Sequence, residues 1–180
     1  FRPDLADARL RGRVEATRFV AGRKACVAVP VLDVKSAPRA DAGLDTQLLC
    51  GDEVAVFDEH EGYAWVQAAR DSYVGYVAAS GLAPAEDAPG HVVCVPRTFL
   101  YREPDMKRPA MAALSLGSRL TIVGAATTRG TDYALLDTGE DAVHRVAPAG
   151  ETRAQVADES PRIGDALLGR PFLHRQFEIE

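Results

Sequence analysis

The feature that most constrains this chain is an internal repeat. Shifted by 66 positions the sequence meets itself: Val29-Pro30 falls on Val95-Pro96, Pro38 on Pro104, Leu48 on Leu114, Gly51 on Gly117, Val54 on Leu120 and Val56 on Ile122. A two-residue slip, which a hairpin loop tolerates, then brings Gly62 onto Gly130 and Trp65 onto Tyr133. Self-similarity at a fixed spacing means that one supersecondary unit is used twice. In each copy an apolar pair and a glycine precede an alternating strand, as in "LLCGDEVAVF" and "ALSLGSRLTIV". The glycine permits a tight bend that a Cβ would resist, and alternation puts Val54 with Val56, and Leu120 with Ile122, on one face.

The segments "CVAVPVLDV", "EVAVFD", "YAWVQAA" and "YVGYVAA" are short, rich in β-formers and punctuated by Gly, Pro and Asp. Five short strands in about 60 residues predict a small barrel rather than an α/β unit. The reading is a mainly β chain: an N-terminal extension over 1–23, barrels over 24–84 and 90–148, and a linker over 85–89 between them. In the extension, Pro3-Asp4 and "LADARLR" predict a short helix ending at Gly12, followed by a strand in "RVEATRFV". The tail over 149–180 is polar until "SPRIGDALLG", where a Ser cap, Pro at the first helical position and a final Gly predict a short helix.

Composition narrows the function classes. The net charge of −5 gives no field that would draw the surface onto nucleic acid or an anionic membrane. Residues 1–24 carry seven basic against three acidic side chains, which reads as a solvated face rather than a polyanion site. No apolar run reaches the roughly 20 residues needed to cross a bilayer. Cys26, Cys50 and Cys94 are odd in number and lie in or beside apolar runs; they read as reduced, buried small hydrophobes, which favours a cytoplasmic setting, with secretion left open. None precedes a helix, so none is a candidate nucleophile. His60, His91, His144 and His174 are scattered without ligand spacing, and Asp58-Glu59-His60-Glu61 reads as a charged hairpin tip, so neither a metal nor a cofactor is expected.

Aromatic residues concentrate in "EGYAWVQAARDSYVGYV", residues 61–77. Alternation puts Tyr63 and Trp65 on one face, and Tyr73 and Tyr76 on opposite faces unless Gly75 marks a bulge. Two readings compete for these rings, a ligand surface and a hairpin core, and for Trp65 the preferred one is that it fills the barrel core.

The stretch "LDTQLLCGDEVAVFDEHEGYAWVQAARDSYVGYVAASGL" resembles the first bacterial SH3 (SH3b) domain of NlpC-type murein-peptide cysteine peptidases, the dipeptidyl-peptidase VI-like branch. The matching residues are Thr46-Gln47-Leu48-Leu49-Cys50-Gly51-Asp52, Trp65-Val66 and Asp71-Ser72-Tyr73-Val74-Gly75-Tyr76-Val77. Cys50, Asp52, Ser72 and Tyr76 depart from the Tyr, Glu, Gly and Trp of the pattern. The resemblance implies two SH3-like barrels in tandem. It also implies a role in hydrolysing γ-D-glutamyl-L-diamino-acid bonds, with Asp52 and Tyr73 helping to hold the free N-terminal amine of a murein-derived peptide. An ammonium group wants a charge-assisted acceptor and a second polar partner, which a carboxylate and a phenol supply.

The family's Trp-Gly-Gly and Asp-Cys-Ser-Gly motifs do not occur in the 180 residues, although "ALLGRPFL" resembles the start of that segment. The expectation is a recognition region without peptidase activity as sequenced. The alternative is an interaction or dimerisation module left after loss of the peptidase domain, with self-association through the face so exposed.

Overall fold

The computed structural model describes residues 2–85 and 90–136, together with the backbone of two strands at 145–148 and 152–154. The expected C-terminal helix and most of the linker lie outside these residues. The chain is mainly β.

The N-terminal extension differs from its prediction. Leu5–Asp7 forms strand β1, which pairs in parallel with β2, Arg18–Val20. Only Ala8–Leu10 turns, as a single 3₁₀ turn capped by the Asp7 carboxylate, which accepts the Arg9 N–H at 2.8 Å. A helix of seven residues gains too few hydrogen bonds to offset its nucleation, and pairing with β2 together with burial of Leu5 and Ala6 outweighs local propensity.

Seven strands then form one sheet: β3 Arg23–Val27, β4 Val31–Lys35, β5 Leu44–Leu49, β6 Glu53–His60, β7 Tyr63–Ala68, β8 Val74–Ala78 and β9 Leu82–Pro84. Their spatial order is β5-β4-β8-β7-β6-β3-β9, and the outer strands β5 and β9 do not pair, so the sheet does not close on itself as a complete barrel would. One face carries the core: Ala25, Val27, Leu32, Val34, Leu48, Val54, Val56, Ala64, Val66, Ala68 and Val77.

Residues 91–154 repeat this pattern of ladders in two smaller sheets. The strands are β10 His91–Val93, β11 Arg97–Tyr101, β12 Ala110–Ser115, β13 Arg119–Leu120, β14 Ile122–Thr128, β15 Thr131–Leu136, β16 Arg145–Pro148 and β17 Thr152–Ala154. Each ladder of the first sheet has a counterpart here: β4·β5 in β11·β12, β4·β8 in β11·β16, β6·β7 in β14·β15, β7·β8 in β15·β16, β3·β6 in β10·β13, and β3·β9 in β10·β17. The spacing of 66 survives at single bonds. Gly51 N–H donates to Val27 O at 2.8 Å, and Gly117 N–H to Val93 O at 3.0 Å. The core follows: Val93, Leu100, Leu114 and Leu120 cluster as Val27, Val34, Leu48 and Val54 do.

The hairpins show where the copies differ. In β6·β7, Tyr63 pairs with His60 and Trp65 with Asp58; in β14·β15, Tyr133 pairs with Ala126 and Leu135 with Gly124. The second hairpin is longer by one residue pair on each arm, Thr127-Thr128 and Thr131-Asp132. Both turns have two positive-φ residues, Glu61-Gly62 and Arg129-Gly130, the geometry whose twist suits a hairpin. Tyr133 is therefore the counterpart of Tyr63, and Leu135 that of Trp65. This corrects the match of Trp65 to Tyr133.

Candidate functional site

Asp52 follows Gly51, whose φ of +80° turns the chain from β5 into β6. It is 5% exposed, and its Oδ2 accepts the Leu49 N–H at 2.9 Å, closing the turn through a side chain. With Leu48, Glu53, Ala68, Arg70 and Arg119 it lines a cavity of about 160 Å³. Arg119 belongs to the second copy, and its N–H donates to Cys50 O at 2.8 Å, so the cavity lies where the two copies meet.

Tyr73 precedes β8 and is 44% exposed. Its N–H donates to Asp71 Oδ1 at 3.0 Å, and its carbonyl accepts the Ala68 N–H at 2.8 Å. Ala68 lines the Asp52 cavity, but Tyr73 does not, so the two residues singled out in the sequence are linked only through this backbone bond. Gly75 marks no bulge: Trp65 pairs with Tyr76, Val66 with Gly75 and Gln67 with Val74 in unbroken register. A Cβ at Gly75 would run into the Val34 side chain, so the glycine is required by close approach of β4.

Trp65 does not fill the core. The inward positions of β7 are Ala64, Val66 and Ala68, all buried, whereas Tyr63, Trp65 and Gln67 are half-buried on the opposite face. There Trp65 meets Tyr76 with ring centroids 4.7 Å apart and planes tilted by 58°, a favourable arrangement of ring quadrupoles. Asp58 joins them because of a β-bulge between Val56 and Asp58. Val54 and Val56 point inward, and strict alternation would send Asp58 inward too; the extra residue Phe57 turns it outward, opposite Trp65.

The N-terminal extension closes over this face. The guanidinium of Arg2 lies 5.7 Å from the Trp65 ring centroid and 5.9 Å from that of Tyr76. It donates to Tyr76 Oη at 3.2 Å, to Asp4 at 2.8 Å and to Asp58 Oδ2 at 2.7 Å, while Arg18 reaches Asp58 Oδ1 at 3.2 Å. Partial burial works against the Arg2 charge, but the bonds to Asp4, Asp58 and Tyr76 outweigh it and raise its pKa. The Arg2 hydrogen bond, with help from Arg18, holds Asp58 below the usual carboxylate range against the opposing effect of burial. These groups, with Ser36, Pro38 and Tyr63, line a cleft of about 830 Å³. The sequence showed the rings and the charges but not the bulge that brings them together.

Among the described residues no group of three His, Cys, Asp or Glu side chains is placed to hold a metal ion, and no helix is long and apolar enough to cross a membrane. His60 lies at the hairpin tip, 3.6 Å from Glu61; His144 and His174 fall outside the described residues. Cys26, Cys50 and Cys94 are half-buried rather than buried, and Cys26 Sγ contacts Pro84 O at 3.5 Å.

Comparison with known proteins places these features. No curated protein shows significant similarity to this chain. An NlpC/P60 family protein from Bacillus cereus, known from its crystal structure, superposes with a TM-score of 0.53 over 72% of this chain, at 18% identity, a likeness of fold. The chain spans about half of that protein's length, 55%. NlpC2 from Trichomonas vaginalis aligns more loosely, with a TM-score of 0.33 and 11% identity over 77% of this chain and 50% of its own. Residues 34–82, the stretch that carries both Asp52 and Tyr73, match the bacterial dipeptidyl-peptidase Sh3 domain.

Proposed function

We propose that this chain is the substrate-recognition region of a bacterial cell-wall peptide hydrolase, built from two SH3b repeats and non-catalytic as sequenced. The observation that carries the reading is the match of residues 34–82 to the Sh3 domain of bacterial dipeptidyl-peptidases, which spans both proposed recognition residues. Asp52 supplies the carboxylate for the free amine of a murein-derived peptide, and Tyr73 the second polar partner. Support comes from the position of Asp52, which lines a small cavity at the junction of the two copies rather than an open surface. Shielding from water strengthens a carboxylate–ammonium contact. The bond whose hydrolysis this region serves is the γ-D-glutamyl-L-diamino-acid linkage.

Calorimetry with L-alanyl-γ-D-glutamyl-diaminopimelate and its N-acetylated form tests the assignment. The free-amine peptide is expected to bind, Asp52→Asn to weaken it about tenfold and Tyr73→Phe by less, as for loss of a charged and a neutral hydrogen bond. Equal binding of the acetylated peptide would overturn the amine site. Cleavage of the peptide by the purified chain would overturn the non-catalytic reading.

A further inference from the structure

We propose that the cleft on the outer face of the first sheet is a second recognition site, for a cationic peptide side chain of the guanidinium type, and that Arg2 occupies it in cis. It is separate from the Asp52 cavity: the two share no lining residue.

Three observations carry this. The chemistry is that of a cation receptor: Trp65 and Tyr76 lie within cation–π range of the guanidinium, and Asp58 closes the contact with a charge-assisted bond of 2.7 Å. The receptor is built before Arg2 arrives, because the bulge at Phe57 aims Asp58 outward and the β7·β8 register sets Trp65 beside Tyr76. The cleft, at about 830 Å³, is also far larger than one guanidinium needs and leaves room for residues flanking a cationic side chain.

The second copy serves as an internal control. It has the same bulge, between Ile122 and Gly124, and the same ladders. Its register puts Gly124, Leu135 and Val146 where the first copy has Asp58, Trp65 and Tyr76. The fold thus forms without the aromatic pair and the carboxylate. In the first copy they therefore serve what docks on this face, which in cis is Arg2, and not the formation of the sheet.

Trp65 is the sole tryptophan of the chain, so its emission reports on this site alone. The probe is acetyl-Arg-Pro-Asp-amide, the chain's own residues 2–4 supplied in trans, with its citrulline analogue as the neutral isostere. Arg2→Ala frees the ring pair and Asp58 Oδ2, leaving Arg18 on Oδ1, and is expected to give a saturable, millimolar change in Trp65 emission with the arginine probe and none with citrulline. The wild-type chain, and Arg2→Lys, which retains a cation, are expected to bind the probe at least about tenfold more weakly, because the tethered side chain competes. Adding Asp58→Asn to Arg2→Ala is expected to abolish the response. The proposal is overturned if Arg2→Ala shows no saturable response, if citrulline matches arginine, or if the wild-type chain binds as well as Arg2→Ala.

Discussion

Gly51 lies against Arg119 with no room for a side chain between them. A Cβ on Gly51 would stand 2.7 Å from the Arg119 Cβ and closer still to its carbonyl oxygen, while the Arg119 N–H binds Cys50 O at 2.8 Å. The repeat counterpart, Gly117, has a similar φ of +90° but meets only Leu49 Cδ1 at 3.7 Å. Gly117→Ala is therefore expected to lose only the backbone strain of about 1 kcal/mol, and Gly51→Ala about 3 kcal/mol once the clash is added. Urea denaturation of the two variants measures the difference, and equal losses would show that the copies do not meet at Gly51.

Thr98 occupies the position where the first copy has Leu32 and is fully buried, with an Oγ1 that finds no partner among the described residues. Thr98→Val keeps the shape and removes the stranded hydroxyl. A gain of about 1 kcal/mol is expected, read as a higher urea midpoint at unchanged slope. A loss would mean that the hydroxyl is hydrogen-bonded in solution.

Tyr133 is 1% exposed and its Oη accepts the Met106 N–H at 3.0 Å, tying down the loop between β11 and β12. Tyr133→Phe is expected to cost about 1 kcal/mol. The Met106 amide should then exchange its hydrogen faster, by a factor larger than its neighbours show. Uniform acceleration along the chain would instead report global destabilisation.

Asp58 is held below its ordinary value of 3.8, chiefly by its hydrogen bond to Arg2. A carboxylate depressed in the folded state adds stability that is complete above its unfolded pKa and is lost as pH falls through the folded one. The melting-temperature difference between the wild-type chain and Arg2→Ala is thus expected to be full at about pH 6 and to shrink on acidification from about pH 4 downward. A difference that persists undiminished at about pH 2 would place the Arg2 contribution in its ring contacts rather than in Asp58.

The repeat was legible because it is written in residues that the fold cannot exchange freely, the turn glycines and the inward Val and Leu positions. Trp65 was misplaced for a definite reason. Alternation tells that Tyr63, Trp65 and Gln67 share a face, but the size rule then assigns the bulky face to the core, whereas here Ala64, Val66 and Ala68 are inside. The bulge at Phe57 carries no sequence signature, so Asp58 read as part of a solvated tip. The N-terminal helix failed differently: the partner of Leu5–Asp7 is Arg18–Val20, and no local pattern announces a pairing across ten residues of loop and turn.

The longer second hairpin has a consequence for how such a duplicated chain can diverge. Its arms grew by two residues each, and Ala134 and Leu136 stayed inside as their counterparts Ala64 and Val66 do. Growth by one residue per arm would leave every pair below it in place but would set the two-residue turn on a pair of the other kind, because hydrogen-bonded and non-hydrogen-bonded pairs alternate along an antiparallel ladder. Such hairpins lengthen in steps, like a zipper that accepts only whole pairs of teeth, and the copies drift apart at their tips while their interiors keep the same rhythm.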